Sequence, residues 1–196
     1  HVLDMGRKEI GDLQQVVKFG KMLNLPKQTR VQDYIDLAMA YYKNGYFDEA
    51  LQYLKEAQGA LPEIALTQSI RIYLNNLFGR VYRELGDYPK ALTTFLKALN
   101  ESRAAGAQKD ILRNMKGAAG VYFMLSDYEK SFDSYKRCVE LSINASDNFN
   151  YTGCLIGMSK INQIWGKTDG DISTLTKALK FSIKGNDQLS QLALYR

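Results

Sequence analysis

The sequence predicts an all-α fold, a right-handed α-solenoid of antiparallel helix pairs. Three observations predict it. The stretch "LGDYPKALTTFLKAL" at 85–99 returns at 125–139 as "LSDYEKSFDSYKRCV". Turn residues fall at Gly45, Gly86, Ser126 and Gly166, spaced by 41, 40 and 40. On both sides of each turn, apolar and small residues recur at intervals of three, four and seven, the spacing of one helix face. The repeated object is therefore a pair of helices joined by a short loop.

Each part of the unit has a packing reason. In the first helix, Leu37, Phe78, Ala118 and Met158 stand eight before the turn. Ala38, Gly79, Ala119 and Ser159 follow them, and Tyr41, Tyr82, Tyr122 and Asn162 stand four before the turn. Small side chains let two helices approach closely, and the aromatic rings fill the space beside the contact. The turn glycine permits positive φ. After it come Phe47, Tyr88, Tyr128 and Thr168, then Ala50, Ala91, Ser131 and Asp171. Leu54, Phe95, Tyr135 and Leu175 follow, and Ala57, Ala98, Cys138 and Ala178 end the series. Asp87 and Asp127 can cap the second helices, where free N–H groups need an acceptor. Pro89 falls in a first turn, where its missing N–H costs little. Asp48 and Glu49 at a helix start complement the macrodipole. The fourth unit departs, with Asn162, Thr168 and Asp171 in place of aromatic and small residues, so it is expected to pack more loosely, with Trp165 restoring contact area.

These residues carry a resemblance. "LFGRVYRELGDYPKALTTFLKAL" at 77–99, "LAMAYYKNGYFDEALQYLKEA" at 37–57 and "AAGVYFMLSDYEKSFDSYKRC" at 118–138 resemble the tetratricopeptide repeat, over residues 34–186. That repeat usually spans about 34 residues. The pitch of 40 or 41 here resembles a subgroup that includes Pins/LGN-type adaptors, rapsyn-type scaffolds and some bacterial regulators. The resemblance implies one array: a partial repeat at 1–30, repeats at 31–66, 67–108 and 109–148, a divergent repeat at 149–186, and the start of a further helix at 187–196. Residues 11–23 look like the second helix of an earlier unit, because Gly11 precedes Gly45 by 34. With no initiator Met, the chain reads as an excised piece of a longer array.

Composition bounds the function. The chain has 196 residues and a net charge of +5, without a block of five basic residues. Such mild positive charge favours an acidic partner and does not single out nucleic acid. The tyrosines lie on packing positions, which favours a core role over base stacking. No run reaches the roughly 20 apolar residues of a membrane span, and nothing at the start reads as a signal peptide. Two cysteines, Cys138 and Cys154, make no disulfide framework and fit a reducing, cytoplasmic setting. Cys138 is expected to be a buried inert thiol, and Cys154 a more exposed one without reactivity. Three Asn-X-Ser/Thr sequons, at Asn100, Asn144 and Asn150, are read as chance matches. His1 is the single histidine, which argues against a hydrolase triad or a histidine metal site. "GKTDGD" and "GNDQ" are turn compositions and lack the spacing of a phosphate loop. No enzyme, cofactor or metal is expected.

What remains is the wall formed by the first helices, which family geometry makes concave. The faces expected to be exposed carry Gln32, Ile35, Asp36, Met39, Tyr42 and Lys43, then Tyr73, Asn76, Leu77, Arg80, Arg83 and Glu84. Arg113, Lys116, Gly117, Gly120 and Phe123 follow, and then Ile156, Lys160, Gln163 and Ile164. Candidate contacts for a partner peptide are Tyr42, Arg80, Arg83, Arg113, Lys116, Phe123 and Lys160. Basic residues with apolar neighbours suit an extended or helical segment with carboxylates and apolar anchors. The alternative is that these charges only solvate a helix face. The Lys/Asn/Arg clamp of chaperone-tail binders is not reproduced. Where the Pins/LGN-type wall typically has Asn, this chain has Met39, Arg80, Gly120 and Lys160. The expected function is a non-enzymatic interaction scaffold; the alternatives are a peptide-sensing domain of a bacterial regulator and a self-associating, rapsyn-like scaffold.

Overall fold

The structure, a computed structural model, describes residues 2–60 and 68–167, together with 174, 176 and 178–180. Its helices are α1 (Val2–Met22), α2 (Val31–Lys43), α3 (Phe47–Ala60), α4 (Gln68–Glu84), α5 (Tyr88–Ala104), α6 (Gln108–Met124), α7 (Tyr128–Asn144) and α8 (Asn148–Ile164), with a 3-10 turn at Lys27–Arg30 before α2. The fold is all-α. Two compact units divide at Thr94 and Phe95, within α5.

In the first unit, α2 and α3 form a closely packed antiparallel pair, α1 lies against α2, and α4 against α3. The small residues make this approach possible: Ala38, Ala50 and Ala57 are buried, as are Leu37 and Leu54. Tyr53 lies between two other rings, with centroids 5.5 Å from Tyr41 and 6.5 Å from Tyr34. Burial, helped by these neighbouring phenols and Glu56, holds the Tyr53 hydroxyl above its ordinary pKa. Gly11 sits inside α1, and the helix runs through it without a turn. Ile10, Leu13 and Val17 carry an apolar stripe across that position, so the roughly 1 kcal/mol cost of a helical glycine is outweighed.

In the second unit, α6 packs on α7, and α7 on α8. Two glycines act as seats for rings. A Cβ at Gly117 would meet the Phe95 ring at 2.4 Å, and one at Gly157 would meet the Tyr135 ring at 2.4 Å. Forty residues separate both the two rings and the two glycines. At the matching place in the first unit the buried pair is Leu54 and Leu77. Trp165 packs on Phe132 with centroids 5.2 Å apart, which supplies the contact area expected of it. Thr168 and Asp171 lie outside the described residues.

The cysteines require a correction. Cys154 is as fully buried as Cys138, and the two are joined by a disulfide that ties α7 to α8. Both occupy small-residue packing positions on facing helices, with Cα atoms 6.2 Å apart. The pairing follows from the helix contact, which sixteen residues of separation do not display.

The turns repeat at half the expected pitch. Left-handed residues occur at Gly86, Gly106, Ser126, Ser146 and Gly166, one every twenty positions. In each turn the third N–H after the helix donates back across it, as from Asp87 to the Tyr82 carbonyl and from Asp147 to the Ser142 carbonyl. This satisfies carbonyls that the helix end would leave open. Asp127 caps α7 by accepting from the Lys130 N–H at 3.3 Å, Asp87 does the same for the Lys90 N–H at 3.2 Å, and Asp147 caps α8 through the Asn150 N–H at 2.9 Å.

Candidate functional site

In the first unit, α2 and α4 bring Tyr42, Arg80, Arg83 and Glu84 together. The Arg80 guanidinium lies over the Tyr42 ring, 4.4 Å from its centroid. The Tyr42 hydroxyl donates to Glu84 Oε1 at 3.4 Å, and Arg83 donates to the same oxygen at 2.7 Å. Arg83 is thus engaged by a carboxylate. Arg80 is half-buried and is held by a ring, with no carboxylate in ion-pair range among the described residues. A guanidinium placed over an aromatic face keeps its N–H edge available for a planar oxyanion. On the other side of α2, Asp36, Met39 and Lys43 line a cleft of about 620 Å³ shared with Lys8, Asp12 and Leu13 of α1.

In the second unit the first helices are α6 and α8. Lys116 Nζ lies 4.1 Å from the centroid of the Phe149 ring on α8. Its stem passes Gly153, where a Cβ would meet Lys116 Cδ at 3.1 Å. A Cβ at position 153 would press on the lysine stem and require it to shift slightly. Arg113 is exposed and paired with Asp110 one turn earlier at 2.6 Å, so part of its charge is answered locally. Phe123 is half-buried and packs edge-on against Tyr128, and Lys160 is exposed.

Four residues assigned to the exposed wall are core residues instead. Ile35, Asn76, Leu77 and Gly117 are buried. The expected wall is too wide by one residue on α2, two on α4 and one on α6, because a first helix packs against neighbours on two sides and leaves a narrower strip open. Phe149 and Gly153 were not foreseen. Their only sequence signal is that the aromatic and the glycine stand where the preceding unit has Lys109 and Arg113. Among the described residues no group of three His, Cys, Asp or Glu side chains could hold a metal ion. No helix there is long and apolar enough to cross a membrane.

Comparison with known proteins follows from this geometry. Family profiles for the tetratricopeptide repeat match residues 69–144 and 34–57. No curated protein sequence matches the chain. Among solved structures, aspartyl phosphate phosphatase F from Bacillus subtilis superposes with a TM-score of 0.83 at 16% identity, over 97% of this chain and 52% of that one. A Rap protein complexed with competence and sporulation factor superposes with a TM-score of 0.78 at 14% identity, over 97% and 55% of the two chains. The Rap conjugation gene regulator of plasmid pLS20, in complex with the Phr* peptide, gives 0.79 at 12% identity, over 94% and 51%. The chain thus spans about half the length of these structures, and at such identity the likeness shows the fold, a helical-repeat solenoid. The buried small residues, the forty-residue pitch and the two profile matches agree: the chain belongs to the tetratricopeptide repeat family.

Proposed function

We propose that this chain is a non-enzymatic protein-interaction module whose first-helix faces bind an extended or helical segment carrying carboxylates and apolar anchors. The observation that carries the reading is Arg80, held over the Tyr42 ring with no carboxylate partner among the described residues. A cation positioned in this way loses little side-chain freedom on binding, so less of its interaction is offset by ordering. Tyr42, Arg80 and Arg83 are the contact set of the first unit; Arg113, Lys116, Phe123 and Lys160 are that of the second. The reading involves no cofactor and no nucleic acid as partner; the Cys138–Cys154 disulfide removes the cysteine argument for a reducing compartment.

The structural relatives favour one form of this reading. One of them was solved with a bound peptide. A peptide-sensing part of a longer regulator is therefore the preferred setting, ahead of a self-associating scaffold. The relative named a phosphatase is only 16% identical to this chain, so its reaction is not carried over.

Calorimetry on a folded Arg80→Glu/Arg113→Glu double variant tests the proposal. With an amphipathic glutamate–leucine peptide as ligand, affinity should fall at least about tenfold, roughly 1.4 kcal/mol. Most of the loss should come from Arg80, since Arg113 already has Asp110. Unchanged affinity in the double variant would rule out the first-helix faces as the binding surface.

A further inference from the structure

A second charged feature of the first unit lies at the opposite end of α2 from Tyr42. Lys21 at the end of α1, Arg30 and Tyr34 at the start of α2, and Lys55, Glu56 and Gly59 on α3 line a pocket of about 450 Å³. Two cations share one ring there: Lys21 Nζ is 5.7 Å and Arg30 Cζ 5.9 Å from the Tyr34 centroid. The Arg30 stem runs along Gly20, where a Cβ would meet Arg30 Cδ at 3.1 Å, so the glycine admits the arginine. Arg30 Nε is buried and has no hydrogen-bond acceptor. A buried donor without an acceptor is destabilising, and two like charges against one ring repel.

The charge count sharpens the reading. Three cations and one carboxylate line the pocket, a balance of +3 − 1 = +2. The carbonyl ends of α1 and α3 each offset about half a charge, and the Asp33 carboxylate acts on Arg30 electrostatically, so these charges are offset in part by groups around the pocket. None of the three cations forms an ion pair among the described residues. Between Asp12 and Asp33 the sequence has no acidic residue, while Lys18, Lys21, Lys27 and Arg30 fall in that interval. Helix ends alone would account for one lysine near each terminus. They do not account for a desolvated guanidinium Nε facing no acceptor.

We propose that this pocket is an oxyanion site for a phosphate monoester. The Arg30 N–H groups and the Lys21 and Lys55 ammonium groups would donate to the phosphate oxygens, and Tyr34 would hold the two cations that share its ring. Such charge-assisted hydrogen bonds are about twice as strong as neutral ones, and the group carries about −1.5 to −2 charge at neutral pH. Leu25 is exposed and lies next to Arg30 at Gly20. That apolar side chain suits a phosphate carried on a larger molecule.

The test titrates inorganic phosphate and a phosphoserine peptide with leucines flanking the serine into wild type, Arg30→Gln, Lys55→Gln and Leu25→Ser. Thermal melts of each variant verify folding. Binding by wild type, weakened about tenfold in the Arg30 and Lys55 variants and unchanged in Lys97→Gln, at an exposed lysine of α5, supports the site. Tighter binding of the peptide than of phosphate, with the difference lost in Leu25→Ser, makes a phosphorylated segment the source. Equal binding of the two makes a free phosphate compound the source. The proposal is overturned if neither probe binds wild type, if the Arg30 and Lys55 variants bind as wild type does, or if the unphosphorylated peptide binds equally well.

Discussion

At the scale of single residues, the caps and glycine seats carry separable energies. Asp127 accepts from the Lys130 backbone and pairs with its ammonium group. The Lys130 hydrogen bond holds the Asp127 carboxyl below its ordinary value of 3.8. A carboxylate with a depressed pKa contributes stability that is present above the ordinary value and is lost as pH falls through the depressed one. Asp127→Ala should therefore lower stability at neutral pH, measured by urea unfolding. The gap from wild type should close in acid, and a gap that widens in acid would show that the cap is not the cause. The Gly117 seat is sterically stricter. Gly117→Ala drives a Cβ into the buried Phe95 ring and should cost about 1–3 kcal/mol. Phe95→Leu in the same chain should recover part of it, because the first unit uses leucine at this place. Strict additivity in that double-mutant cycle would contradict a direct contact.

At the scale of elements, much was legible. The turns at Gly45, Gly86 and Gly166, the caps at Asp87 and Asp127, and the buried alanines follow from residue type, because each obeys a local rule about φ, free N–H groups or volume. The twenty-residue half-period was present in "AAGAQKD" and "NASDNF". It was hidden because Ala107 lacks the capping side chain and Ser146 is an uncommon left-handed residue. Replacing Ser126 by Gly removes a left-handed penalty of about 1–2 kcal/mol and adds about 0.4–1 kcal/mol of unfolded-chain entropy. A gain of roughly 0.5–1 kcal/mol in the same unfolding assay is the net expectation. The disulfide was not legible, since pairing needs the distance between α7 and α8. Its sixteen-residue separation corresponds to about 3 kcal/mol of stability. Melting with and without a reductant should therefore show a clear loss, matched by a two-proton mass gain on reduction. Coincident melts would count against the link.

At the scale of the whole molecule, the fold says how the chain is built and the unshared residues say what it does. Positions that recur every forty residues are filled by packing. Arg80, Lys116 and Phe149 break that agreement, and each is held in a ring contact. The candidate site was legible as a set of basic positions on the first helices. It was not legible which of them are answered by neighbours, because Asp110 beside Arg113 and Glu84 beside Arg83 act through geometry. The most direct measurement is amide chemical-shift mapping with the amphipathic glutamate–leucine peptide on wild type and Arg80→Glu. The account predicts shifts concentrated on α2 and α4 around Tyr42 and Arg80, and their loss in the variant. Shifts confined to the second helices α3, α5 and α7, or unaltered in Arg80→Glu, would contradict it.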